Sequence, residues 1–298
     1  MSLSQWHPTT RAALWMGGTL LSLVAMALAA RHLSSTLSVF QILFFRSLLG
    51  LAIISLLLCR SGWAQAAPRH LGMHLVRNIS HFGGQYGWIY GIAFIPMAQV
   101  FAIEFTAPVW SALLAAAILG ERLTAPRMLS VALGLIGVFI IVRPDTGVIH
   151  PAALAVLMGA VGFSLSYVMT KKLSPVASPL CILFYMSAIQ LPLGLLPSVM
   201  HWVTPTLAQV PLILLAGTMG LITHYCLARA MALADATVVI PLDFLRLPLI
   251  AVVGAMFYGE PLQAMLFVGA ACILGGNLIS IVVERRRVAS VKPAPGKA

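Results

Sequence analysis

Charge is what this chain has least of. Only 8% of its 298 residues are charged and only seven are acids, whereas soluble domains carry about 25% charged residues. With 60% hydrophobic residues and a mean hydropathy of +1.00, a water-soluble fold would have to bury almost everything. The composition therefore describes an all-α polytopic membrane protein. Other absences narrow its chemistry. No His-Glu-x-x-His, no Gly-x-Ser-x-Gly and no Cys/His cluster with ligand spacing occurs, so neither an enzyme nor a resident metal or cofactor is expected. Without a Gly-x-x-x-x-Gly-Lys-[Ser/Thr] loop, ATP-driven pumping is excluded within this chain, and no filter-like sequence or ring of charge suggests a channel. The four cysteines, Cys59, Cys181, Cys226 and Cys272, have no paired spacing and read as small buried hydrophobes.

The basic balance, a formal +11, does not indicate nucleic acid, because Lys and Arg fall between apolar runs and not on one folded face. Those runs are each long enough to cross a bilayer and lie near 12–30, 38–58, 71–91, 97–119, 125–142, 151–170, 178–199, 208–228, 236–257 and 262–283. The first could pass for a signal peptide. It lacks a preceding basic cluster and has an internal counterpart at 153–170, so it is kept as a span. With the N-terminus inside, Arg60, Arg69, Arg122, Arg127, Lys171, Lys172, Arg229 and Arg285–Arg287 all fall on the cytoplasmic side, against Arg31 and Arg143 outside. Both termini are then cytoplasmic, and 289–298 is a disordered basic tail.

The chain repeats itself. Gln85-Tyr86 aligns with His224-Tyr225, Glu104-Phe105 with Asp243-Phe244, Gly120-Glu121 with Gly259-Glu260 and Gly137 with Gly276, all at one offset. Ser38 to Ser47 aligns with Ser178 to Ser187 one residue further on. Ten transmembrane helices thus form two five-helix repeats, 1–145 and 146–288. Five is odd, so the second repeat is inverted. Inverted halves are a secondary-transporter architecture with the substrate site at their interface near mid-membrane.

The pattern Ala98-Gln99-Val100-Phe101-Ala102-Ile103-Glu104-Phe105-Thr106-Ala107-Pro108-Val109, then Gly120-Glu121-Arg122-Leu123 and Gly134-Leu135-Ile136-Gly137-Val138, resembles an EamA-type member of the drug/metabolite transporter superfamily. Gly259-Glu260 echoes it. In the second copy Pro261 replaces Arg122, and Pro248 is shifted by one from the Pro108 position. The resemblance implies a carrier of small metabolites in the bacterial inner membrane. Members export amino-acid-like compounds or opine-type metallophores, or take up riboflavin or S-adenosylmethionine. Export of a carboxylate-bearing or zwitterionic metabolite is the leading expectation, and uptake of a vitamin or nucleoside-like compound is the alternative. The expected partners are a small-molecule substrate, the lipid bilayer and protons, with a second copy of the chain as a candidate.

Charges at mid-bilayer cost about 2.5–3.5 kcal/mol each on insertion scales and mark function by default. Five lie there: Arg46, Arg77, Glu104, Asp243 and Arg246. Arg77, His81, Gln85 and Trp88 share one helix face, with Gly83, Gly87 and Gly91 expected to pack the other. Pro108 should bend the helix at Glu104, whose partner would be Arg46 or Arg77. Asp243 and Arg246, three residues apart, can pair within one helix as a structural or a functional unit. One arginine is left over for an anionic group on the cargo. Tyr90 and Tyr225, with Tyr86, Tyr167 and Phe101, are candidates for stacking. His81, His224, Glu104 or Asp243 could carry a coupled proton. Glu121 and Glu260 read as turn chemistry at the first turn of the following helix, and Trp6, Trp15, Trp63 and Trp202 as interfacial anchors.

Overall fold

A computed structural model describes residues 7–67, 69–121, 123–142, 150–234, 239 and 242–291. Trp6, Arg122, the turn at 143–147, Pro241 and the chain from 292 onward lie outside the described residues. The helices are α1 (Pro8–Leu33), α2 (Val39–Ser61), α3 (Leu71–Phe94), α4 (Met97–Glu104), α5 (Ala107–Leu119), α6 (Ala125–Val142), α7 (Pro151–Leu173), α8 (Pro179–Val199), α9 (Val210–Leu233), α10 (Arg246–Tyr258) and α11 (Ala264–Val291). α11 thus continues past residue 289, where a tail was expected to begin.

Among the described residues, eight helical segments, counting α4–α5 as one, are long and apolar enough to cross a membrane. α3 has the length but is too polar to count among them, because it carries His74, Arg77, Asn78, His81 and Gln85. The outer surface is not that of a soluble protein. Leu21, Phe139, Leu196 and Met256 are each at least 66% exposed, while Thr19, Gln41, His74, Asn78, Ser164 and Gln190 are buried within a mostly apolar core. An apolar coat suits hydrocarbon solvent, in which exposed polar groups would go unsatisfied.

The repeat is visible in local geometry. Ser38 and Ser178 cap α2 and α8 in the same way, each accepting the N–H three residues on at 3.2 Å. Gly120 and Gly259 both adopt the left-handed conformation, φ 69° and 63°, that ends α5 and α10. The packing follows the same symmetry. α1 packs on α9 as α7 packs on α3, while α2 packs on α8 and α6 on α11.

Glycines set the closest approaches, and one expectation changes. The face of α3 against α7 is formed by Gly84, Gly87 and Gly91, and Gly83 looks into open space. At 3.6 residues per turn, the spacing i, i+3, i+7 holds one face, whereas i, i+4, i+8 drifts off it. Gly137 of α6 and Gly269 of α11 each abut the other's carbonyl. Of the cysteines, Cys181 and Cys226 are buried as expected, but Cys59 is exposed near the end of α2.

Both interrupted helices break just after the repeated acid, at Phe105–Thr106 and at Phe244–Leu245. A break in hydrocarbon must have its carbonyls satisfied by side chains. Asn277 of α11 donates to the Phe105 carbonyl at 3.3 Å, and Ser164 of α7 donates to the Ala107 carbonyl at 2.7 Å. Ser130 of α6 in turn holds Asn277 Oδ1 at 2.9 Å.

Candidate functional site

A cavity of about 320 Å³ lies where the breaks meet, lined from both halves. It gathers Arg46, His81, Gln85, Trp88, Glu104, Tyr167, His224, Asp243 and Arg246 from the sequence candidates, and Phe105, Pro108, Phe163, Thr223 and Asn277 besides. Gln85 and His224 are repeat mates, as are Glu104 and Asp243 and the edge-on pair Phe105–Phe244, whose centroids are 5.4 Å apart. The cavity therefore sits on the axis that relates the two halves.

Its centre is an ionic cluster. Arg246 reaches Glu104 Oε1 at 3.4 Å through Nη1 and Asp243 Oδ2 at 3.7 Å through Nε. Glu104 Oε2 accepts the Trp88 indole N–H at 2.9 Å. The guanidinium lies 4.1 Å from the centroid of the Phe105 ring, a cation–π contact. The partner of Glu104 is thus Arg246 and neither Arg46 nor Arg77. Helical periodicity gives the face of an acid but not the register of the neighbouring helix, which decides its partner.

Arg46 also faces the cavity, and among the described residues it forms no ion pair; its Nη2 lies against Gly220. A side pocket of about 40 Å³ runs from it between α2 and α8 past Ser187 and Gln190. Arg77 does not line the cavity. It is buried one helical turn below His81, donating to Thr170 Oγ1 at 3.1 Å and Asn78 Oδ1 at 2.6 Å. Tyr90 stacks on Tyr86 away from the cavity, and Tyr225 is 58% exposed and edge-on to Trp15. Phe101 is fully buried beneath Trp88. Asn277 is not among the sequence candidates; its only mark there is a lone amide in an apolar run, which carries no charge to single it out.

The two ends of the cavity differ. At one end Glu260 Oε2 accepts the Met97 N–H at 2.9 Å, so this loop carboxylate caps the start of α4 across the repeat interface. Arg31 Nη2 lies 3.6 Å from Glu260 Oε1, and its Nη1 bonds the carbonyls of Ile92 and Ile95. The Glu260 side chain is only 8% exposed. At the other end the repeat mates recur: Lys171, counterpart of Arg31, pairs with Glu121, counterpart of Glu260, and Arg127 adds a second contact at 3.1 Å. Here Lys171 is 64% exposed. A chamber of about 330 Å³ runs from Glu121, Arg127 and Lys171 to Tyr167, Pro108 and Asn277, which it shares with the central cavity. The structure is therefore closed at the Glu260 end and open toward Glu121. Both acids precede their next helix by several residues and reach other elements, so their role differs from the first-turn placement expected.

The two carboxyls respond oppositely to pH. The hydrogen bond from Lys171 holds Glu121 below the ordinary carboxylate range, so its contribution is present at neutral pH and is lost as pH falls through that lowered value. Burial pushes Glu260 up, opposed by the Met97 N–H and Arg31. Taking up its proton in this packed state is favoured, so acidification supports closure at the Glu260 end. In a chain without native cysteines, Glu260→Ala should raise maleimide labelling of Ala98→Cys several-fold. Glu260→Gln, whose amide oxygen still accepts the Met97 N–H, should not. Unchanged labelling in Glu260→Ala would show that this contact does not close the end.

Comparisons with known proteins agree with this architecture. The EamA-like transporter family profile matches the chain twice, at residues 10–143 and 150–282. An S-adenosylmethionine uptake transporter of Rickettsia prowazekii is 25% identical over 274 residues, 91% of this chain and 93% of that protein. A riboflavin transporter of Rhizobium johnstonii is 34% identical over 229 residues, 76% of each. A pseudopaline exporter of Pseudomonas aeruginosa is 28% identical over 267 residues, 86% of this chain and 93% of that one. A solved crystal structure superposes with a TM-score of 0.62 at 18% identity, over 93% of this chain and 99% of its own, which speaks for the fold alone. With apolar spans, a twofold repeat and a polar cavity between its halves, the chain is a multi-pass inner-membrane protein that belongs to the EamA-like transporter family.

Proposed function

We propose that the protein is a secondary carrier for a zwitterionic, amino-acid-like metabolite, working by alternating access between two inverted five-helix halves. In this reading there are ten spans, and both termini and the Glu121 end face the cytoplasm. The observation that carries it is the charge layout of the cavity. Glu104 and Asp243 share the single guanidinium of Arg246, leaving one negative charge in excess, while Arg46 faces the same cavity with no ion pair among the described residues. Cargo with a carboxylate for Arg46 and a cationic group for the acids satisfies both, and guanidinium binds carboxylate bidentately. The cavity's size falls in the small-molecule range. Trp88, Phe105, Phe163, Tyr167 and Phe244 offer faces to a planar group.

S-adenosylmethionine, named for one set of relatives, combines a carboxylate, two cationic centres and a planar base. Among the relatives, one is named for uptake and another for export, in keeping with a reversible cycle whose direction the gradient sets. Export is the direction when cargo accumulates inside. On the empty return stroke, a proton on Glu104 or Asp243 would take the place of the cargo cation. A second reading, a neutral aromatic cargo such as riboflavin, is favoured by the aromatic lining and by the 34% identical relative.

Counterflow in liposomes containing only the purified chain separates the two. Saturable S-adenosylmethionine exchange should fall more than tenfold in Arg46→Gln. Arg77→Gln should retain most of it, because that side chain is held outside the cavity. Riboflavin exchange indifferent to Arg46→Gln would select the second reading, and unsaturable flux of either compound would overturn a carrier.

A further inference from the structure

Gln190 of α8 is 2% exposed and makes two contacts through one atom. Its Nε2 lies 3.2 Å from the Asn78 carbonyl oxygen and 3.0 Å from His81 Nδ1. A carbonyl only accepts, so the atom facing it must be the amide nitrogen, and this contact fixes the orientation of the side chain. An amide nitrogen has two hydrogens and no lone pair to offer. The second hydrogen therefore points at His81 Nδ1, which must accept. The imidazole proton is then on Nε2.

We infer that Gln190 is a positioning residue that locks His81 as the neutral Nε2–H tautomer, presenting a hydrogen-bond donor to the cargo carboxylate beside Arg46. The inference rests on the zwitterionic reading for the identity of the cargo group, but not for the tautomer. His81 lines the cavity with its ring edge-on to Phe163 at 5.4 Å. Arg46 from α2 and His224 from α9 face it across the cavity, and Arg77 lies below it on α3. Gln190 and Arg46 line the same side pocket, so one buried amide faces the pocket of the guanidinium and also contacts the imidazole. A carboxylate has two oxygens, and this arrangement provides a charged donor and a neutral one. It also removes His81 as the coupling group. A second proton on the ring would need the Nδ1 lone pair, which Gln190 already occupies.

The test reads the tautomer directly. With 15N-labelled histidine in the full chain in nanodiscs, the His81 signal, assigned by its loss in His81→Asn, should show a bare Nδ1 and a protonated Nε2 throughout pH 5–8. Gln190→Leu should give mixed tautomers, and Gln190→Glu should move a proton onto Nδ1. In liposomes, Gln190→Leu should raise KM for S-adenosylmethionine about tenfold with kcat little changed. The same substitution should leave the weaker KM for the S-adenosylmethionine methyl ester unmoved, because the carboxylate is blocked. A protonated Nδ1 in the parent protein would overturn the inference, whatever the carrier transports. A locked tautomer with equal KM effects on acid and ester would overturn the carboxylate assignment while leaving the tautomer in place.

Discussion

Arg246→Met should destabilise the protein by about 3–5 kcal/mol, the usual cost of removing one partner from a buried ionic group, and should abolish saturable transport. The substitution leaves Glu104 and Asp243 in one cavity, where among the described residues the Trp88 N–H is the remaining donor to them. Adding Glu104→Gln to the same chain should recover much of the stability, because one acid then stands alone, but should not recover transport. Thermal melts of the purified chain in detergent, with liposome flux on the same preparations, complete the cycle. If Arg246→Met melted like the parent, the cluster would not be holding the two broken helices together. Lysine at 246 is a sharper probe. It restores a charge without the planar fork that reaches two carboxylates at once, so stability should return further than transport.

The second large effect is steric. A methyl group placed on Gly87 would fall on the backbone carbonyl of Ala155, and Gly159 of α7 lies against the same spot. Backbone cannot yield as a flexible side chain can, so Gly87→Ala must push α3 away from α7. That seam carries Trp88 and His81 into the cavity, so expression in the membrane and transport should fall together. Gly83→Ala is the matched control. Nothing lies within 4 Å of it, and alanine favours helix over glycine by up to about 1 kcal/mol. Melting and yield should be unchanged or slightly raised. Equal losses at both positions would mean that glycine flexibility matters here, not close approach.

The contrast between these two glycines shows where sequence reasoning stops. The presence of a small-residue face on α3 was legible from spacing, but its rotation was not, because four-residue steps drift across the helix surface. Arg77, His81, Gln85 and Trp88 read as one stripe, yet the stretch from Arg77 to Trp88 rises about 16 Å. The cavity takes only its upper part. The repeated acids were legible because an ionisable residue in an apolar run is costly and recurs in register. Which arginine met Glu104 was not, since it depends on a contact between helices 142 residues apart in sequence. Tyr90 and Tyr225 look the same as Trp88 in a linear string, and only packing separates an aromatic that lines from one that faces outward. Helix ends are set by local chemistry: Ser38 and Ser178 cap α2 and α8, and Gly120 and Gly259 end α5 and α10 in the left-handed conformation.

The unequal exposure of the two repeat-related acid–base contacts bears on how salt acts at the two ends. Coulombic attraction at the Glu121–Lys171 contact is screened by dissolved ions, with a Debye length of about 8 Å at physiological ionic strength. The Glu260–Arg31 contact is shielded by protein and feels salt far less. Two halves built on one plan therefore do not answer equally to ionic strength: added salt weakens the Glu121 contact and leaves the Glu260 contact fastened.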